Sequence, residues 1–504
     1  MTTHWKIFGL AVAVLLAATL WLRFTAPPAP AAPVAPPAPH SVAVRPFLTL
    51  GPDTAAGALG PALAGELVEM LGSVPGLRVT DPASVRAAAR AAGDPRDIGR
   101  RLGVGSLLEG SVRLSGDRLR VTTHLVSAEQ GFDLWSETFE QPAADLQAVR
   151  DSIARGVMAT LRRQARVRPA PVTAPGAYLA VLHGRDALGR GTGDYLDEAL
   201  AAFGEAVRLD SGYSPAWAGL AAAHAEELRA GVRAPSEAAE HARTAADRAL
   251  ALDSLEVRAL LARGTVRMLY DRAWADAAAD LRRAAALDPN RPGATHRLAH
   301  LFLAEGRLDS ALDASRAAIA RSPLDAALRV HLGWHYVMAG QDTLAQAALV
   351  GAGALDGVPV TDEHAALLLE ATGDTAGGIP RLARAASASP GRVDLLAELA
   401  RLYVGAGAPD TARAILARMR TLADARYVSP YALALVHAAL GETRPALDAL
   451  DRALRERDPA VVDLPLDPRL TSLRRDPRAA GLVRRLAPDY NPPTSTPRPQ
   501  APGL

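Results

Sequence analysis

The sequence predicts a multidomain chain: a single N-terminal transmembrane helix, a small α/β domain, and then an all-α solenoid of stacked helix pairs. Three observations carry this. Residues 5–24, WKIFGLAVAVLLAATLWLRF, form one apolar run. Short runs of alternating apolar residues are interleaved with helix-spaced ones through 41–163. Beyond about residue 177, helical segments end at Asp210, Asp253, Asp288-Pro289, Ser322-Pro323, Asp356 and Ser389-Pro390, from Asp253 onward about 34 or 35 residues apart.

The apolar run is flanked by Lys6 and Arg23, with Trp5 and Trp21 where interfacial aromatics belong. About 17–25 apolar residues span a bilayer as a helix, so 1–25 is read as a transmembrane signal anchor. The alternative is a cleaved signal peptide, because Ala29-Pro30-Ala31 resembles a small-residue cleavage site. The expected location is the inner, cytoplasmic membrane, single-pass, with the N terminus inside and the bulk of the chain extracytoplasmic (periplasmic). Residues 26–40, APPAPAAPVAPPAPH, are read as a stiff Pro/Ala-rich linker.

Composition excludes several classes. The 504 residues contain 56 basic and 54 acidic side chains, a net charge of +2, and no long basic run, so no nucleic-acid partner is expected. Cysteine is absent, which removes disulfides, thiol nucleophiles and thiolate-bound zinc. Lysine occurs only as Lys6, so the folded part offers no phosphate-loop or Schiff-base lysine. No GxSxG, HExxH or Gly-rich phosphate loop is present, and no enzyme and no cofactor are expected.

Within 41–163, SVAVRPFL at 41–48 and the segment 77–80 read as strands, while 59–71 and 85–92 have helical spacing. Residues 104–114 and 118–127 alternate around Ser115, Gly116 and Asp117, a hairpin signal. A third run covers 132–139, and a helix covers about 143–163. This pattern implies a mixed sheet with helices packed on it. SVAVRPF, GELVEMLGSVPGLRV, DIGRRLGVGSLLEGSVRLSGDRLRVTTHLV, DLWSETF and RDSIARGVMATL together resemble the TolB amino-terminal-like domain that precedes tetratricopeptide repeats in many bacterial proteins. The resemblance implies a non-catalytic module of the kind fused to cyclases, kinases or winged-helix regulators. No such partner domain is recognised here, so their activities are not carried over. Trp135 is read as core, and Glu109 with Arg113 as an ion pair.

Residues 164–176 read as a second linker, and 177–460 as the repeat superhelix. In LDPNRPGATHRLAHLFLAEGRLDSALDASRAAIARSP, at 287–323, Leu298, Ala299 and Phe302 precede a break at Gly306, followed by Ala311, Ala318 and Pro323. That order of small, large and breaking residues is the signature of a tetratricopeptide repeat (TPR). About eight helix pairs are expected, coiled around a concave face. Residues 461–487 resemble the terminal cap of TolB-like-domain repeat proteins, and 488–504 read as a disordered tail.

The expected function is a non-enzymatic, membrane-anchored scaffold or adaptor that holds protein or peptide segments on the concave face. The alternative is a regulatory sensor whose α/β module binds a small ligand and modulates repeat binding. Partner-binding candidates are His296, His300, Trp334, Val337 and Met338, which would line an apolar groove. His296 with His300, and His331 with His335, each stand four apart on consecutive first helices. Repeat register shifts the second pair by one residue, so the pairs need not converge, and no metal is expected.

Overall fold

A computed structural model describes residues 38–50, 59–74, 76–91, 93–161, 173–190, 195–353, 375–388 and 392–487. They form a mostly helical TPR-like solenoid preceded by a small sheet domain. The span expected at 5–24 lies outside the described residues, as do most of the 26–40 linker and the 488–504 tail. Among the described residues no helix is long and apolar enough to cross a membrane. This corrects the localisation expected from the sequence, and the single-pass inner-membrane assignment does not stand.

The sheet has the strand order Arg78–Thr80, Ala38–Val44, Val104–Ser115, Arg118–Ser127, Asp133–Pro142, with Leu48–Leu50 also on Val104–Ser115. Strand β1 (Ala38–Val44) lies parallel to β3 (Arg78–Thr80), pairing Val42 with Val79, and parallel to β4 (Val104–Ser115), pairing Val44 with Leu108. The short β2 (Leu48–Leu50) continues along β4. Strands β4, β5 (Arg118–Ser127) and β6 (Asp133–Pro142) form an antiparallel meander. Ser115 pairs with Arg118, leaving Gly116 at φ +63° in the turn, where a side chain would strain the backbone. Successive strand residues face opposite sides. Val42 and Val44 meet helices α1 (Leu59–Gly72) and α4 (Leu146–Thr160) on one face. Ala43 packs with α2 (Pro82–Ala91) and α3 (Pro95–Leu102) on the other. Trp135 is half-buried, its indole against Gly156 of α4, so it is a packing residue. The expected Glu109–Arg113 pair does not form: Glu109 accepts from Arg45 at 2.6 Å, and Arg113 stands across from Arg120.

The apolar core of this domain does not stop at its boundary. It runs from Val42 through Ile153 into Tyr178, Val181 and Phe203 of the first repeat, formed by α5 (Pro175–Arg190) and α6 (Tyr195–Leu209). Phe203 is fully buried between Gly184 of α5 and Gly219 of α7 (Ser214–Ala230). A Cβ at Gly219 would collide with Cδ1 of Phe203. Gly219→Ala gains about 1 kcal/mol of helix propensity but overpacks at about 1–3 kcal/mol. We expect a net loss of stability of about 0–2 kcal/mol, read from urea unfolding midpoints.

Further pairs follow: α7 with α8 (Pro235–Leu252), α9 (Val257–Val266) with α10 (Trp274–Leu287), α11 (Pro292–Ala304) with α12 (Leu308–Arg321), and α13 (Ala326–Met338) with α14 (Asp342–Gly353). Beyond lie α15 (Thr375–Ala388), the pairs α16 (Val393–Gly405) with α17 (Pro409–Leu422) and α18 (Pro430–Ala439) with α19 (Thr443–Arg455), and a terminal α20 (Pro477–Leu486). The turns between paired helices place Gly306, Gly340, Gly407 and Gly441 at positive φ, which explains the recurring glycine. The third pair carries Arg272 at that place, with φ +59°, after a π-turn at Arg267–Asp271. Arg272 donates to the Leu454 carbonyl (3.3 Å) and Arg457 to the Tyr270 carbonyl (3.2 Å). The coil therefore closes: its last pair touches its third.

Candidate functional site

The first helix of each pair faces inward, and these helices surround a cavity of about 1660 Å³. Residues one turn apart on a helix share a face, which is why Gly293, His296, Arg297 and His300 of α11 line it together. The cavity is not bounded by repeats alone. Two other parts of the chain enter it, one from each end.

From the N-terminal side comes α1. Its Glu69 sits among three arginines of three different repeats: Arg258, Arg291 at 3.1 Å and Arg185 at 3.4 Å. Burial pushes the Glu69 carboxyl up, but the charges of Arg258 and Arg291 outweigh it and hold it down at about 2. Burial lowers the Arg185 guanidinium to about 9, assisted by repulsion from Arg258. One turn earlier, Glu66 is bound by Arg185 and by the fully buried Arg150 at 2.8 Å. The end of α1 is capped by the repeats: the Asn290 amide donates to the Gly72 (2.9 Å) and Leu77 (3.1 Å) carbonyls. The Leu324 backbone N–H donates to Ser84 Oγ at 3.1 Å.

From the C-terminal side come two 3₁₀ turns, Pro459–Asp463 and Pro468–Leu473. Asp458 anchors the first, accepting from Ser429 Oγ (2.6 Å), Tyr427 OH (3.3 Å) and the N–H groups of Tyr431 and Ala460. Asp467 anchors the second, accepting from Tyr431 OH at 2.7 Å and from Arg469. Arg469 then lies 5.1 Å over the Trp334 ring and pairs with Glu398. Burial, with the charge of Asp467 nearby, pushes the Asp463 carboxyl up to about 7. A carboxyl raised in the folded state stabilises below its ordinary value near 3.8, and that contribution is lost as pH rises through about 7. Asp463→Asn is expected to unfold with less pH dependence between about pH 4 and 7.5 than the parent, and to be the more stable of the two at about pH 7.5, by paired denaturation series.

Of the residues expected from the sequence, His296 and His300 do line the cavity. Val337 and Met338 do not: they are 2% and 8% exposed and pack with Leu312 and Val330 in the core, because that side of α13 meets its paired helix. Trp334 does line the cavity but is only 7% exposed, with Arg469 over its ring. The groove therefore sets charged side chains such as Glu69, Arg258 and Arg291 among an apolar lining. The expectation that the two histidine pairs need not converge is also corrected. The His296 and His331 rings are 4.6 Å apart, and those of His300 and His335 4.9 Å. The missed residues are Glu66, Glu69 and the arginines that hold them. For Arg185 and Arg258 the sequence signal was an arginine on an otherwise Ala- and Leu-rich first helix, whereas Arg150 lies on α4 and Arg291 just before α11.

The fold and inward-facing first helices define a helical repeat protein, and the tetratricopeptide repeat family model matches residues 369–432. The chain thus carries tetratricopeptide repeats, which in general mediate protein–protein interactions and are generally non-catalytic. Among curated proteins, it is 32% identical over 122 residues to "Putative adenylate cyclase 3" of Rhizobium meliloti (strain 1021), which is 24% of this chain and 21% of that one. The chain thus spans about a fifth of that relative's length. Among solved structures, it is similar to a human IFIT1 dimer with PPP-AAAA (14% identity, 62% of this chain and 80% of that one, TM-score 0.42). It is also similar to pilF of Pseudomonas aeruginosa (16% identity, 43% and 93% covered, TM-score 0.31). A thermophilic TPR protein of Thermus thermophilus matches at 23% identity, with 36% and 98% covered and a TM-score of 0.30. None of these likenesses bears on what the chain binds.

Proposed function

We propose that the chain is a non-enzymatic scaffold that binds protein segments through the interior of its repeat coil, where charged side chains stand among apolar ones. The observation that carries this reading is the 1660 Å³ cavity lined by the first helices, with acidic and basic side chains along its walls. Such a lining suits an extended segment that carries charged as well as apolar side chains, where the sequence suggests an extended or helical apolar peptide. We place the α/β domain as a TolB-like module, supported by parallel β1, β3 and β4 followed by an antiparallel meander.

A photo-crosslinking residue at Ala222, half-buried on the cavity wall, tests this in the full chain. The scaffold reading requires a protein adduct, and the captured protein must then bind the purified chain saturably. Adducts that form only at exposed control positions such as Asp410 would contradict it.

The regulatory-sensor reading keeps a place because of one contact. Glu66 and Glu69 of the α/β domain sit directly on Arg185 and Arg258 of the repeats, so a ligand that moves α1 would move the groove wall. Small-molecule heat stabilisation of the full chain that also changes crosslinking at Ala222 would favour it.

A further inference from the structure

Four histidines meet at one place on the inner wall, between the fourth and fifth helix pairs. His296 and His300 lie one turn apart on α11 and so share a face. His331 and His335 follow 35 residues later on α13, packed alongside. The His296 and His300 Nε2 atoms are 3.3 Å apart. One ring nitrogen each of His296, His300 and His331 lies within 4.8 Å of the others, and all three residues line the cavity. Two imidazole nitrogens bound tetrahedrally to one ion at about 2.0–2.1 Å lie about 3.3 Å apart, the spacing already present between the first two.

From this geometry we propose that His296, His300 and His331 form a three-histidine site for a divalent transition ion of the zinc class. Neutral imidazoles select zinc, copper, nickel or cobalt over magnesium or calcium, and the chain has no thiolate to compete. The fourth position opens to the cavity and takes water or a carboxylate of a bound segment. The nearby cations are turned elsewhere: Arg297 donates to Thr265 Oγ1 at 2.8 Å, and Arg469 pairs with Asp467 and Glu398. His335 is the positioning residue. It is fully buried, its Nδ1 is 2.7 Å from Ser315 Oγ, and its ring stands edge-on to His300, fixing the orientation of that ligand. The ion would tie two neighbouring repeats together and place a positive charge on the groove wall. This holds whatever the groove binds.

The test is titration of the chelator-washed full chain with Zn2+ by calorimetry and with Co2+ by its visible tetrahedral absorption. The expected result is one ion per chain, unaffected by excess Mg2+. His296→Gln and His331→Gln should each weaken binding more than about tenfold, and His335→Gln by about tenfold or more. His224→Gln, at the separate His224–His241 ring pair, should leave it unchanged. Circular dichroism of each variant without metal separates ligand loss from misfolding, and His296 and His331, being only half-buried, are the variants expected to fold. Absence of binding by the parent chain, or undiminished affinity in a folded His296→Gln/His331→Gln double variant, overturns the proposal.

Discussion

Arg150→Ala lowers stability by about 3–5 kcal/mol, because it strips a buried carboxylate of its most deeply buried cation. Arg150 is 1% exposed, donates to Glu66 at 2.8 Å and to Asp151 at 2.8–3.0 Å, and lies 5.5 Å over the Tyr178 ring. It therefore joins α1, α4 and the first repeat at one point. Hydrogen exchange should rise in α1 and α4 together with the fall in the denaturation midpoint. The double variant Arg150→Met/Glu66→Gln should lose less than Arg150→Ala, since the carboxylate is removed along with its cation. Equal losses would mean that Arg150 acts by packing alone.

Glu69→Ala loosens the α/β domain from the repeats, with a cost of about 2–3 kcal/mol, between the values for exposed and fully buried pairs. Removing it leaves Arg185, Arg258 and Arg291 facing one another without the central carboxylate. Acid should mimic the substitution. The folded pKa, about 2, lies below the ordinary 4.5, so the stabilisation is complete above pH 4.5 and is lost as pH falls toward 2. Protease nicking or hydrogen exchange of α1 as a function of pH should show this step in the parent and lack it in Glu69→Ala.

What could be read in the sequence was local or periodic. The hairpin at Gly116 announces itself through alternation on either side of a turn. The repeats do so through glycines at 306, 340, 407 and 441 that the backbone needs at positive φ. What could not be read joins distant segments. Glu69 and Arg258 are 189 residues apart, and no spacing links them. The entry of α1 and of the C-terminal turns into the groove was illegible because a repeat pattern contains nothing about the segments flanking it. Val337 and Met338 were misplaced for a related reason: a helix packed on both sides buries apolar residues around most of its surface, so apolarity did not mark the groove. The histidine convergence was missed by counting register along straight helices. His335 occupies the place of the buried Leu301 one repeat earlier, and the rotation between pairs brings the shifted residues back together.

The central claim is that the coil is folded around its own N-terminal domain, with α1 docked on the third and fourth pairs. A Cβ at Gly72 would lie 3.9 Å from the Asn290 Cβ, within the roughly 3.5–4.5 Å that a disulfide spans. Because the chain has no cysteine, Gly72→Cys with Asn290→Cys creates a unique pair. Mild oxidation of the dilute double variant should give a monomeric chain with the two positions joined, seen by peptide mapping under non-reducing conditions. Two free thiols, or only disulfides between chains, would contradict the docked arrangement.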